Sequence, residues 1–114
     1  MRSWTAPSLL LGLMLAGCGP QTPEQAAIAN IQEAASAEAD ALHSAAQNQT
    51  AKIEAEADTL AQQAELANGF EAERLRTRAE ALRKEAKIVE RHGEAQVQAV
   101  RDRARADVSA LKAQ

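Results

Sequence analysis

Large side chains are scarce in this sequence. Tyrosine is absent, and the aromatics amount to Trp4 and Phe70, 2% of 114 residues. Alanine dominates the apolar fraction, so burial per residue is small and a compact globular core is not expected. Cysteine occurs once, at Cys18, which excludes an internal disulfide framework. Proline is confined to positions 7, 20 and 23, and beyond Pro23 the only glycines are Gly69 and Gly93. Catalytic patterns are also missing. His43 and His92 lie 49 residues apart, and neither has a carboxylate or cysteine at the usual metal-ligand spacing. Ser36, Ser44 and Ser109 have no adjacent base, and there is no Gly-rich phosphate loop. Preorganised chemistry needs a concave, water-excluding pocket, which one or two Ala-rich helices hardly make. We therefore expect no enzyme, no catalytic, cofactor or metal site, and no small-molecule substrate.

What is present is helical. Ala, Glu, Arg, Gln and Leu dominate, the composition of long helices and coiled coils. Thr22 offers an N-cap, Pro23 suits the first helical position, and Gln25 completes a capping box. Glu24 adds favourable charge against the helix dipole. From Ile31, every eleventh residue is apolar: Ile31, Leu42, Ile53, Ala64, Leu75, Ala86, Val97 and Val108. Eleven residues make three turns with little angular drift, so this row holds one face of a nearly straight helix. Ala35, Ala46 and Ala57 widen the stripe in the first half, and Leu82, Val89, Val100 and Leu111 in the second. The expected seam is Ile31, Leu42, Ile53, Leu60, Leu75, Leu82, Val89, Val97, Val100 and Val108.

The fold class is thus all-α: one long amphipathic, coiled-coil-like helix over positions 23–113, continuous or broken once at Asn68-Gly69 into an antiparallel hairpin. Glycine after a helix end takes the left-handed conformation without penalty, and this break leaves two equal halves. Charge agrees with a hairpin, because residues 18–67 carry net −7 and residues 70–114 net +3. Two features favour the continuous helix. The eleven-residue row crosses Asn68-Gly69 in phase, and a second helix would lack a good N-cap, since neither Gly69 nor Phe70 offers an oxygen. A glycine inside a helix costs only about 1 kcal/mol.

The N-terminus carries its own pattern. Met1 and Arg2 supply a positive start, Leu9 to Leu15 an apolar run broken only by Gly12, and Leu15-Ala16-Gly17-Cys18 follows before the composition turns polar. These are the parts of a secretory signal, and the run is too short for a membrane span. The four residues resemble the lipobox of bacterial lipoproteins. That resemblance implies lipidation of the Cys18 sulfur and cleavage between Gly17 and Cys18. Lipidation also accounts for a lone cysteine in an exported chain. Residues 1–17 are then the signal peptide, 18–22 a lipidated tether and 23–113 the helical region. One acyl chain holds marginally and two or three hold stably, so no transmembrane helix is required.

Eleven of the 13 basic residues crowd into the second half, among them Arg74, Arg78, Lys87, Arg91, Arg101 and Arg105, interleaved with acids. Glu71 can pair with Arg74 and Glu80 with Lys84. The pairs Arg74/Arg78, Lys87/Arg91 and Arg101/Arg105 repel at i,i+4 and would be relieved by an anionic neighbour: the acidic first half, a second copy, or anionic lipid and envelope polymer. Nucleic acid is not an expected partner, because the chain is exported and beyond the signal has Phe70 alone for base stacking. Lipobox, short tether and long helix together resemble the small murein lipoproteins of bacterial outer membranes. Those end in a lysine joined to peptidoglycan, whereas this sequence ends Leu111-Lys112-Ala113-Gln114. Gly19 is not the aspartate that favours inner-membrane retention in enteric bacteria, which points to the outer membrane. The expected function is an envelope lipoprotein facing the periplasm, a structural or protein-interaction module bound to membrane lipid through Cys18. Its seam would meet a second copy or another envelope protein. Alternatives are an amphipathic binder of anionic membrane and a regulatory partner of an envelope protein.

Overall fold

The computed structural model describes residues 22–114. The lipobox positions, Gly17 and Cys18 included, lie outside the described residues. Two α-helices of 44 residues each, α1 (Pro23–Leu66) and α2 (Gly69–Lys112), form an all-α antiparallel hairpin. Each is about 66 Å long.

Helix α1 starts as its sequence requires. The Thr22 hydroxyl accepts from the Gln25 N–H at 3.1 Å, and the Thr22 N–H donates to Gln25 Oε1 at 3.1 Å. Pro23 occupies the first turn, where a missing N–H costs nothing. At the other end Ala67 and Asn68 are extended, and Gly69 takes φ +58°. That left-handed conformation penalises any side chain with a Cβ, so the reversal depends on glycine. Helix α2 starts without a side-chain cap from Asn68; Glu71 in its first turn and Lys112 in its last offset part of the loss through the dipole.

The turn corrects the preference for a continuous helix. Closing a turn this short costs little loop entropy, and it lets one chain bury both of its alanine faces without a partner. The row kept its phase for a geometric reason. Ala46 lies against Gly93, and this register sets Ile31 opposite Val108, Leu42 opposite Val97, Ile53 opposite Ala86, and Ala64 opposite Leu75. One face of a supposed single helix is therefore both walls of one seam. Two ion pairs fix the same register: Glu38 and Asp58 meet Arg103 and Arg83 at 2.9 and 3.3 Å, stepping equally along α1 and back along α2. All four side chains are about half exposed or more, so each pair adds at most a few tenths of a kcal/mol, about the median for such pairs.

Every residue of the expected seam lies in it, but the deepest positions are smaller. Ala39, Ala57, Ala64, Ala72, Ala79 and Ala86 are 0–4% exposed, whereas Ile53, Leu60, Leu75, Leu82 and Val89 are only half-buried. Alanine lets the helix axes approach, and between the waist and the tip the leucines and isoleucine of the seam lie over alanines of the other helix and keep an edge in water. The register places Ile53 over Ala86, Leu82 over Ala57, Leu60 over Ala79 and Leu75 over Ala64. Ala72, Ala79, Ala86 and Gly93 recur at seven, the spacing of a coiled-coil seam. Toward the open end Ala86, Val97 and Val108 recur at eleven, and Ala39, Val97 and Val100 form a core cluster flanked by Ala35 and Leu42.

One seam residue is polar. Thr50 Oγ1 is sealed from solvent and has no hydrogen-bond partner. An unpaired buried hydroxyl costs about 1–3 kcal/mol, and valine has nearly the same shape. Thr50→Val should stabilise the hairpin by about 1 kcal/mol, raising the melting temperature by about 4–8 °C. Thermal denaturation followed by circular dichroism checks this, and an unchanged midpoint would mean that the hydroxyl finds a partner in solution.

Candidate functional site

The hairpin offers two long faces and a tip. Each face is a trough between the helices, floored by the seam and walled by the polar residues that flank it. The trough on one side, the front, runs from the open end past the waist. At the open end it is an open groove of about 640 Å³, with Ala35, Ala39, Ala104 and Val108 as floor and Arg101, Arg105 and Lys112 along one wall. Asp40 is the one acid there, and Ser36 and Ser109 add hydroxyls. Farther along, Ala39, Asp40 and Arg101 are joined by His43 and Glu94, and then His43 and Glu94 by Glu54, Glu90 and Thr50. The front trough is therefore cationic at the open end and acidic at the waist.

The opposite trough is less charged. Its waist is lined by Leu42, Ala45, Val89 and Gly93, with His92 and Ile88 at the rim, and Ile88 is 64% exposed. At the tip, Leu66 and Phe70 stand out at 88% and 80% exposure on either side of the turn. The sequence pattern singled out neither the tip residues nor Ile88. Leu66, Phe70 and Ile88 all lie off the eleven-residue row, and that was the one available signal.

His43 and His92 fall on opposite faces of the waist. Among the described residues no group of three or more His, Cys, Asp or Glu side chains is placed to hold a metal ion. No described helix is long and apolar enough to cross a membrane. The basic residues spread around α2. Arg74 pairs with Glu71 at 3.0 Å as expected, and Arg105 with Asp102 at 2.6 Å. The expected Glu80–Lys84 pair is not among the ion pairs of the described residues, and neither Arg101 nor Lys87 has one there. Among the described residues, ion pairs cross the seam at Asp58–Arg83 and Glu38–Arg103.

The class of protein defined by this fold is an alanine-seamed antiparallel helical hairpin. No known protein family, curated protein or solved structure matches the chain.

Proposed function

We propose that this protein is a bacterial envelope lipoprotein, held to a membrane by acyl chains on Cys18, whose hairpin is a structural or protein-interaction module. The observation that carries the reading is Leu15-Ala16-Gly17-Cys18 at the end of a short apolar run. The position of the first helix supports it. Helix α1 is capped at Thr22, four residues beyond the cysteine in sequence, so the hairpin starts close to the anchor along the chain and extends about 66 Å to the tip. A long body with exposed polar walls and open troughs between two helices suits contact with another surface. The amphipathic surface-binder alternative is weaker, because the apolar seam is turned inward and an adsorbed helix needs it outward.

Intact mass of the protein extracted from bacterial membranes tests the anchor, with Cys18→Ser as control. The expected mass is residues 18–114 plus two or three acyl chains, and the control should be neither acylated nor retained in the membrane fraction. An unmodified chain in the soluble periplasm would overturn the lipoprotein reading.

A further inference from the structure

We infer that two copies of this chain pair through their front faces, antiparallel, about a two-fold axis at the level of Leu42 and Val97. The inference rests on the hairpin being an interaction module, and it does not depend on the lipid anchor.

The first reason is unfinished burial. No large side chain among the described residues is fully buried, and the front trough leaves Ala35, Ala39, Val97, Ala104 and Val108 along its floor. A small domain buries a smaller fraction of its surface than a large one, and pairing with a second copy adds to that burial. The front trough provides a continuous apolar floor for that purpose.

The second reason is the charge pattern, which is complementary to itself. Along the front edge of α2 the order is Glu90, Glu94, Arg101, Arg105, Lys112. The two acids and the first two bases are symmetric about the peptide between Val97 and Gln98, and Lys112 lies beyond them near the open end. On α1, Asp40 and His43 are symmetric about the peptide between Ala41 and Leu42. These two centres share one level of the hairpin, because the register sets Leu42 opposite Val97. A two-fold axis through that level, lying in the interface and perpendicular to the helices, stacks α2 on the α2 of the second copy and α1 on its α1. Arg101 then meets Glu94 of the second copy, Arg105 meets Glu90 of the second copy, and Asp40 lies beside His43 of the second copy. Each contact occurs twice.

Unmet charge inside one hairpin agrees with this arrangement. Glu90, Glu94 and Arg101 make no ion pair among the described residues, and Arg105 is turned back to Asp102 on its own helix. The Arg101/Arg105 repulsion at i,i+4 is relieved by carboxylates at the matching spacing. A parallel pairing leaves Glu90 and Glu94 facing the level of Gln47 and Thr50, where no cation lies. The antiparallel overlap is about 57 Å long and two helices wide. That gives on the order of 1,000 Å² per copy, against the ~800 Å² per partner of a standard interface. The product is a four-helix bundle with isologous contacts.

Light scattering on the full chain carrying Cys18→Ser, in which acyl chains cannot drive association, tests the proposal. The expected mass is twice that of the chain. Arg101→Glu with Arg105→Glu should halve it, and so should Glu90→Arg with Glu94→Arg, each with helicity retained by circular dichroism. An equimolar mixture of the two double variants should recover the doubled mass, because each then presents the charge the other lacks. A monomeric parent, double variants that keep the dimer mass, or a mixture that stays monomeric would overturn the proposal. Should either double variant lose helix, Gln98→Cys in the Cys18→Ser background decides. Gln98 adjoins the axis, so mild oxidation should cross-link the two copies, and failure to cross-link would equally overturn the arrangement.

Discussion

Replacing Gly93 with leucine should open the hairpin at its waist and destabilise it by about 3 kcal/mol or more. Gly93 is buried, and a Cβ built on it would overlap the Cβ of Ala46 on the facing helix. That atom is fixed to the α1 backbone and cannot rotate away, so the helix axes themselves must separate. Overpacking of this kind costs about 1–3 kcal/mol, and separation also uncovers Leu42 and Val97, which flank the contact. Helix propensity acts in the opposite direction, since any residue but proline gains up to about 1 kcal/mol over glycine inside a helix. The steric cost exceeds that gain, which accounts for a glycine kept there at the expense of helix stability. A loss of about 3 kcal/mol lowers the melting temperature of a chain this size by more than about 12 °C. Gly93→Ala isolates the contact: it should destabilise by less, and Ala46→Gly in the same chain should recover part of the loss, because the two sites are coupled through one contact. A Gly93→Leu chain that melts like the parent would show that the helices do not approach so closely.

Converting the turn to Asn68→Ala/Gly69→Ala should change the shape of the molecule rather than merely weaken it. Alanine at the φ of +58° held by Gly69 costs about 1–2 kcal/mol. The two alanines also strongly favour a helix running straight through the turn. The eleven-residue row is in phase across that point, so the open chain is itself a sound amphipathic helix of about 135 Å. Opening exposes the alanine seam, and a second open chain can cover it with the same register, an exchange of identical arms between copies. The expected result is a species of maximum dimension about 135 Å in small-angle X-ray scattering, populated increasingly as concentration rises. A particle that keeps the parent's dimensions would mean that the seam alone, without the glycine, dictates the reversal.

The N-terminal cap, the all-α class and the seam face were readable because each depends on neighbours in sequence. Thr22, Pro23 and Gln25 act within one turn, and Ile31 to Val108 declare their face through spacing alone. Depth was not readable in the same way. The seam named from the pattern holds only leucine, isoleucine and valine, yet Ala57, Ala64, Ala79 and Ala86 lie deepest, since depth is set by how closely two backbones approach. The recurrence of Ala72, Ala79, Ala86 and Gly93 at seven was the available signal for that approach. The front trough with Arg101, Glu94 and His43 was invisible for a related reason: its walls come from segments about fifty residues apart, and only the register of the hairpin makes them neighbours.

The direction of the chain after Asn68 shows where local information ends. Residue order by itself determined that both halves are helices, that their apolar faces share one phase, and where a break is possible. It left a straight helix and a hairpin equally consistent with that phase, because the turn is centred midway between Ala64 and Leu75 and folds the row onto itself. Tertiary structure decided between them. Two alanine faces brought together in one chain exclude water along about 66 Å for the entropy of one short turn, whereas a straight helix must find another molecule to cover the same surface.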